Sequence, residues 1–508
     1  MTGPTSLLGT GTVSPMPSVT ASPADDTAAA IQYVVCPTCD RVGALGRAME
    51  SYLGNMRRFG RSAEFIVGDN SMRREVRREY RSLVAGYAAA GVPTRYVGAE
   101  EKQLLIRRLH RRVPDVPMAT LQFGLFDSER TGLYCVGANY NALLLATAGA
   151  PIVSVDDDTI CDTARLDAID TTVRWCTPEL RSASHPSELW CYADRDRACA
   201  GVVREDADFL GIHETLLGRR FVGGGDAGAG TVRVSFTGLF GDSGWGSPSF
   251  YLLLTGASLD RIVMSEHRYR DACLGRGQVK AVPTWTVMPR LWNMMGTFFG
   301  LDNRVCLGPF ISVSRGCDVL YGTTVSTCGQ GALFGFAPWM ICHLPVESRS
   351  FWPGEVLRSS TGVDVSTVLG ALMKRAAAHC DAATTEARLQ TIGGELATLA
   401  AGSPDSFAAA ARTAVREELG FWLADLQAQL DQRAAAPRFW ADDLEAFLAR
   451  LRTTMTRADV AVPLELHRAG AEAGALMQRL TLRFGQLMAA WPALLEAASE
   501  LRRADLGV

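Results

Sequence analysis

The order of apolar patterns predicts an α/β fold: a mostly parallel sheet flanked by helices, followed by an all-α C-terminal domain. From residue 30 to residue 160 strand-like and helix-like segments alternate, as in a parallel sheet covered on both faces. After residue 363 glycine thins, and alanine and leucine recur at helical spacing. Between these stretches, residues 161–350 mix glycines and aromatics with short strand-like pieces, so long loops are expected there.

Each element has its own signal. Ile31-Gln32-Tyr33-Val34-Val35 reads as the first strand. Residues 43–59 read as an amphipathic helix with Leu45, Ala48, Met49, Tyr52, Leu53 and Met56 on one side. Ala63-Glu64-Phe65-Ile66-Val67-Gly68 is a second strand that runs into Asp69-Asn70-Ser71. A helix over residues 73–89, a strand at Thr94-Arg95-Tyr96-Val97, helices over 100–112 and 139–148, and a strand at 152–155 follow. Further strand-like pieces lie at 231–236, 279–284 and 333–336. In the last third, Leu419, Trp422, Leu423, Leu426 and Leu430 form one helical stripe. Leu444, Phe447, Leu448 and Leu451 form a second, and Leu476, Leu480, Leu487, Trp491 and Leu494 a third. Gly402-Ser403-Pro404-Asp405 and Ala435-Ala436-Pro437 mark breaks between helices. The chain therefore divides into a tail (1–29), two halves of the sheet region (30–160 and 161–350) and a helical domain (363–508).

Composition narrows the function classes. The 508 residues carry 47% hydrophobic and 21% charged side chains with a net charge of −3. This is a globular profile that does not point to nucleic acid as a partner. No run reaches the roughly 18 apolar residues of a membrane span. The first 29 residues are rich in Gly, Ser, Thr, Pro and Ala; they lack the basic start and apolar middle of a secretory signal and read as a disordered tail. Thirteen scattered cysteines read as reduced thiols of a cytoplasmic protein. Cys36-Pro37-Thr38-Cys39 has redox or zinc spacing, but no second pair completes a zinc site.

The most informative string is Ala150-Pro151-Ile152-Val153-Ser154-Val155-Asp156-Asp157-Asp158-Thr159. Adjacent carboxylates repel by about 1 kcal/mol in water and about 4 kcal/mol at an effective dielectric of 20. A buried strand ending in such a cluster invites a divalent cation, and hard oxygen ligands suit Mg²⁺ or Mn²⁺. The alternative is a turn in which Asp158 or Thr159 caps a following helix. Ligands of parallel sheets bind beyond the carboxyl ends of the strands. Three such ends carry polar groups here: Thr38-Cys39-Asp40, Asp69-Asn70-Ser71 and the aspartate triplet.

These strand ends, in this order, resemble those of family 2-like GT-A glycosyltransferases, inverting and metal-dependent enzymes. Val35-Cys36-Pro37-Thr38-Cys39-Asp40-Arg41 is similar to the family's first strand end, and Phe65-Ile66-Val67-Gly68-Asp69-Asn70-Ser71 to its second. Gly137-Ala138-Asn139-Tyr140-Asn141 is similar to the segment before the metal motif, and residues 152–159 to the metal-binding strand itself. More weakly, Ser314-Arg315-Gly316-Cys317-Asp318 resembles the segment that supplies the catalytic base, and Ile341-Cys342-His343-Leu344-Pro345 the late histidine. The family often has Glu before the base aspartate, where Cys317 stands here, and Arg where Tyr140 stands.

The resemblance implies a Rossmann-like nucleotide-binding half and a mixed acceptor half. It implies a donor, a nucleotide-diphosphate sugar, at Pro37, Thr38, Asp40, Arg41, Asp69, Asn70, Asn141, Asp156 and Asp157. It implies Mn²⁺ or Mg²⁺ at Asp156, Asp158 and a neutral His343, and Asp318 as general base for a hexosyl transfer with inversion. The Gly-rich segment 238–249 reads as an acceptor loop with Asp242 and Trp245, whose indole could stack on a sugar; glycan, lipid, peptide and small-molecule acceptors all remain open. The helical domain has no counterpart in the resemblance and is read as a dimerisation or acceptor-recruiting element.

Two other motifs carry less. Gly241-Asp242-Ser243-Gly244 and Ala377-Ala378-His379-Cys380 echo protease segments, but in reversed order and in regions of different composition. Arg73, Arg74, Arg77, Arg78 and Arg81 interleave with Glu75 and Glu79 as a solvated helix face. Arg107, Arg108, Arg111 and Arg112 are less balanced and leave open a peripheral contact with anionic lipid at the inner membrane face. A nucleotidyltransferase would use similar aspartates but brings an early Gly-rich, Lys-containing loop, which is absent from the sequence. A non-catalytic nucleotide-sugar-binding scaffold is the third alternative.

Overall fold

The computed structural model describes residues 19–21, 30–166, 170–176, 186–224, 228–433 and 436–504. Apart from the short strand β1 (Val19–Ala21), the tail 1–29 lies outside the described residues, as does Ala435.

The first half alternates as the sequence predicts: β2 (Tyr33–Thr38), α1 (Val42–Arg58), β3 (Glu64–Asp69), α2 (Arg74–Ala89), β4 (Thr94–Val97), α3 (Ala99–Arg112), α4 (Met118–Leu125), α5 (Val136–Ala146) and β5 (Pro151–Val155). Strands β4, β3, β2 and β5 lie side by side in that order and all run parallel. Strand alternation sorts their side chains onto two faces. Val34, Cys36, Phe65, Val67, Val153 and Val155 pack under Leu45, Met49, Tyr52, Leu53 and Tyr80 of α1 and α2. Val35, Ile66 and Ile152 face the other way, toward α3, α4 and α5.

The second half is built differently. It contains β6 (Thr159–Arg165), β7 (Asp170–Trp175), β8 (Glu188–Tyr192), α6 (Arg195–Ala200), β9 (Val203–Arg204), α7 (Phe209–Glu214), β10 (Arg220–Gly223) and β11 (Ala229–Asp242). After a 3-10 turn at Pro248–Leu253 come α8 (Gly256–Ile262), α9 (Glu266–Leu274), β12 (Gly277–Ala281), β13 (Thr284–Met288), β14 (Phe298–Asp302), α10 (Cys317–Cys328) and β15 (Ala332–His343). β14 joins β5 to β11 and is antiparallel to both. β11 and β15 are parallel, while β12, β13 and β6 attach antiparallel to them. The sheet is thus one mixed sheet of 15 strands, and the expectation of a mostly parallel sheet holds only for β4 to β5. A parallel half is thus joined to a mixed half.

The C-terminal region is all-α: α11 (Val365–Ala377), α12 (Thr385–Ala401), α13 (Pro404–Gln432), α14 (Arg438–Thr456) and α15 (Ala473–Arg503). Ser403 caps α13 with Pro404 at its first turn, at the predicted break. The stripes on α14 and α15 are buried, as are Leu419 and Leu426 of α13. Glycines let α12 and α15 touch: a Cβ on Gly393 would stand 2.6 Å from the Gly485 carbonyl oxygen. α15 also packs on α3, α4 and α5, and its Leu487 meets Gly124. One apolar cluster therefore runs from the sheet's second face into the helical region. Among the described residues no helix is long and apolar enough to cross a membrane.

Candidate functional site

The strand order reverses between β2 and β5, and such a switch point opens a crevice at the carboxyl ends of the two strands. Thr38 closes β2, and Asp156 follows the last residue of β5. The triplet forms a turn pinned by Thr159, whose amide and hydroxyl both donate to the Asp156 carbonyl. The chain then enters β6, so the alternative of a helix cap at Asp158 or Thr159 falls.

The three aspartates have separate fates. Asp157 accepts from the Thr38 hydroxyl at 2.6 Å and from Arg41 Nη1 at 3.0 Å. Burial pushes its carboxyl up to about 6, against the pull of Arg41. Asp158 lies 3.1 Å from Arg41 Nη1 and 3.3 Å from His343 Nε2. Burial alone would raise its pKa, but His343 and Arg41 outweigh burial and hold it well below the carboxylate range. Asp156 is the exception: among the described residues nothing donates to its carboxylate, although its amide bonds the Thr297 carbonyl. Burial first, then the charges of Asp158, Asp157 and Asp318, push it well above the usual carboxylate range.

His343 ends β15, and its Nδ1 meets the Asp242 carbonyl at 2.8 Å. A carbonyl can only accept, so Nδ1 carries a proton and Nε2 faces the Asp158 carboxylate. Burial opposes the charged ring, but the Asp158 bond prevails and raises the pKa. Asp242 is gripped by Arg276, with Nε at 2.9 Å and Nη2 at 2.8 Å, so its carboxylate is fully committed.

Asp318 lies in the first turn of α10. It accepts from the Gly296 amide and the Val319 amide, each at 2.9 Å. Burial raises its pKa despite these bonds. Tyr140 props the same segment by donating to the Gly296 carbonyl at 3.0 Å. The backbone of Gly296 and Thr297 thus links Asp318 on one side to Asp156 on the other.

The other sequence-predicted residues divide. Asp69 is register partner to Thr38 at the same sheet edge, and its oxygens accept from Tyr96 Oη at 2.6 Å and the Ser71 amide at 2.7 Å. Asn70 gives its amide to the Cys135 carbonyl and its oxygen to Lys102. Asp40 sits at φ 56 with its amide held by Ser71 Oγ and its carboxylate 3.5 Å from Arg73. Pro37 is a buried strand residue with no polar side-chain atom to offer. Asn141 is fully buried and clamps the Gly124 carbonyl and both backbone groups of Phe310, which leaves nothing for a donor sugar. Trp245 stands in the wall of a separate cavity beside Lys280.

The expected metal set is not assembled. Among the described residues no group of three or more His, Cys, Asp or Glu side chains is placed to hold a metal ion. Arg41 already bridges Asp157 and Asp158, and His343 Nε2 is turned to the Asp158 carboxylate. Cys36 and Cys39 are free thiols.

Sequence reasoning missed Tyr80, which shares a hydrogen bond with Thr38 and accepts from the Arg41 amide, and Arg276. It also missed two buried lysines. Lys102 donates to Asn139 Oδ1 at 2.6 Å, the Asp69 carbonyl at 3.3 Å and Asn70. Among the described residues Lys280 has only the Met295 sulfur, at 3.6 Å. Burial lowers both to about 7. A signal was present: the chain has only three lysines among its 51 basic Lys and Arg residues.

No family model matches the chain, and no curated protein matches it by sequence. Among solved structures it is similar to a mannosyltransferase from Pyrobaculum calidifontis solved in complex with GDP-Man and Mn2+, at 12% identity and a TM-score of 0.32 over 87% of this chain and 90% of that one. The likeness is too loose to align the two sites, so the assignments that follow rest on this chain's own residues.

Proposed function

We propose that this protein is a glycosyltransferase of the family 2-like GT-A kind, moving a sugar from a nucleotide-diphosphate sugar to an acceptor hydroxyl with inversion. The observation that carries the reading is the pair Asp156 and Asp318. Both are half-buried and both are pushed up, and they flank one backbone segment at the switch point. Perturbed carboxylates gathered in a crevice are the mark of a functional site.

In this reading the donor lies over the ends of β2, β3 and β5. Thr38 and Tyr80 shape the floor, and Arg41, with its side chain about half exposed, supplies positive charge for the diphosphate. Asp318 takes the proton from the acceptor oxygen as that oxygen bonds the anomeric carbon, and the nucleoside diphosphate leaves with the electron pair. A single base and direct displacement invert the anomeric centre. No step is routed through Mn²⁺ or Mg²⁺. A divalent cation enters the proposal as a competitor with Arg41 for Asp158, beside the unpartnered Asp156.

The test is a panel of nucleotide sugars, each with and without Mn²⁺ or Mg²⁺, read by thermal shift and by the product released. Release of a nucleoside diphosphate with one donor supports sugar transfer; pyrophosphate release means a nucleotidyltransferase. Stabilisation by a donor with no product under any acceptor or metal leaves a binding scaffold.

A further inference from the structure

A cavity of about 360 Å³, within the size range of small-molecule sites, has Lys280 in its lining. Trp245, Phe250, Leu253, Leu254 and Pro283 give it apolar walls. Three wall hydroxyls already bond the backbone. Thr284 donates to the Thr172 carbonyl, Thr286 to the Thr284 carbonyl, and Ser258 accepts from the Leu189 amide. Glu188 is paired with Arg261.

Lys280 is different. It lines the cavity and is 7% exposed, and its one acceptor among the described residues is a thioether, a weak partner for an ammonium. Met295, which holds it, is the neighbour of Gly296, whose amide binds Asp318. Lysine is also rare in this chain, with three among 51 basic residues. An isolated ammonium in an apolar wall is costly unless something else supplies an oxygen.

We propose that this cavity receives the acceptor, and that the acceptor is a small ring-bearing alcohol, aromatic or alicyclic. Its apolar body lies against Trp245, Phe250, Leu253 and Leu254. Its hydroxyl oxygen accepts a hydrogen bond from Lys280 and turns its proton toward Asp318. The apolar side chains Trp245, Phe250, Leu253, Leu254 and Pro283 make up most of this wall, which favours an apolar ring over a sugar. The assignment rests on the sugar-transfer reading and adds the acceptor class to it. In the transfer, the hydroxyl oxygen bonds the anomeric carbon and the bond from that carbon to the diphosphate oxygen breaks. The electron pair leaves with the diphosphate, and the proton passes to Asp318.

The experiment titrates the whole chain, without donor, with 1-naphthol, naphthalene and methyl glucoside, read by calorimetry and thermal shift. 1-Naphthol binds and methyl glucoside does not. Ala257→Trp, at an exposed position on the cavity's lining, weakens 1-naphthol at least about tenfold while far-UV circular dichroism stays unchanged. Lys280→Met weakens 1-naphthol about tenfold and leaves naphthalene alone, because only the hydroxyl is lost as a partner. Binding of methyl glucoside in place of 1-naphthol, or 1-naphthol binding unmoved by Ala257→Trp, overturns the inference. If 1-naphthol binds as described but no nucleotide sugar is consumed with it, the cavity assignment stands and the sugar-transfer reading fails.

Discussion

The two halves of the sheet treat their polar groups in opposite ways. At the ends of β2 and β3 almost every buried polar group is answered: Thr38 by Asp157, Asp69 by Tyr96 and Ser71, Lys102 by Asn70, Asn139 and the Asp69 carbonyl. Where β5 meets the mixed half, groups are left over. Among the described residues Asp156 has no side-chain donor, Lys280 has only a thioether, and Asp318 is held by two backbone amides. The first half spends its hydrogen bonds on building a rigid floor. The boundary holds uncompensated charge in reserve, which is what a site that handles a reacting group requires.

The comparison can be broken at several points. The largest stability effect is expected at a buried ion pair inside the mixed half. Arg276→Met strands Asp242 next to His343 and should cost about 3–5 kcal/mol in urea unfolding. A loss under 1 kcal/mol, within the range of exposed pairs, means Asp242 is not buried as described.

Asn141→Ala comes next. It orphans the Phe310 amide and two carbonyls, for an expected loss of about 3 kcal/mol with donor binding unchanged. A donor-affinity defect at intact stability restores the sugar contact that the resemblance implied.

The two buried lysines give the sharpest contrast. Lys102→Met leaves three oxygens without their donor and should destabilise by about 2 kcal/mol. Lys280→Met loses one weak contact and should be neutral or stabilising at pH 7. Burial lowers both lysines from 10.5 to about 7. Between those values the unfolded chain holds protons that the folded chain does not, so stability rises with pH from about 7 to about 10. Lys280→Met should flatten that rise, with the gain largest at and below pH 7. An unchanged slope means the ammonium is solvated.

The smallest effect belongs to the surface. Arg81→Ala removes a contact with Glu100, whose side chain is 72% exposed, and should change stability by less than about 0.5 kcal/mol.

How much was legible follows the same boundary. β4 was read with both ends correct, and α1, α2 and β5 to within a residue or two, because short β-rich runs alternate there with amphipathic helices. The gathering of Thr38, Asp69 and the aspartate triplet followed from strand polarity alone. The mixed half was harder because burial there is nearly complete. β11 is buried on both faces over its later part, and α10 shows no polar stripe, so neither carries a clean period. The run at 279–284 was read as one strand, but Pro283 cannot donate to a ladder, and the chain splits there into β12 and β13. The bridging place of Arg41 was not legible. Sequence shows that carboxylates need a cation, but not that Arg41, one turn past β2, is the cation supplied.

The most direct measurement is transfer by Asp318→Asn once a donor is found, with donor affinity measured alongside. The substitution keeps the side-chain shape and removes the proton acceptor. Donor affinity should be unchanged and turnover should fall about 10²–10⁴-fold, the usual contribution of a general base. Turnover equal to that of the unaltered chain contradicts the account.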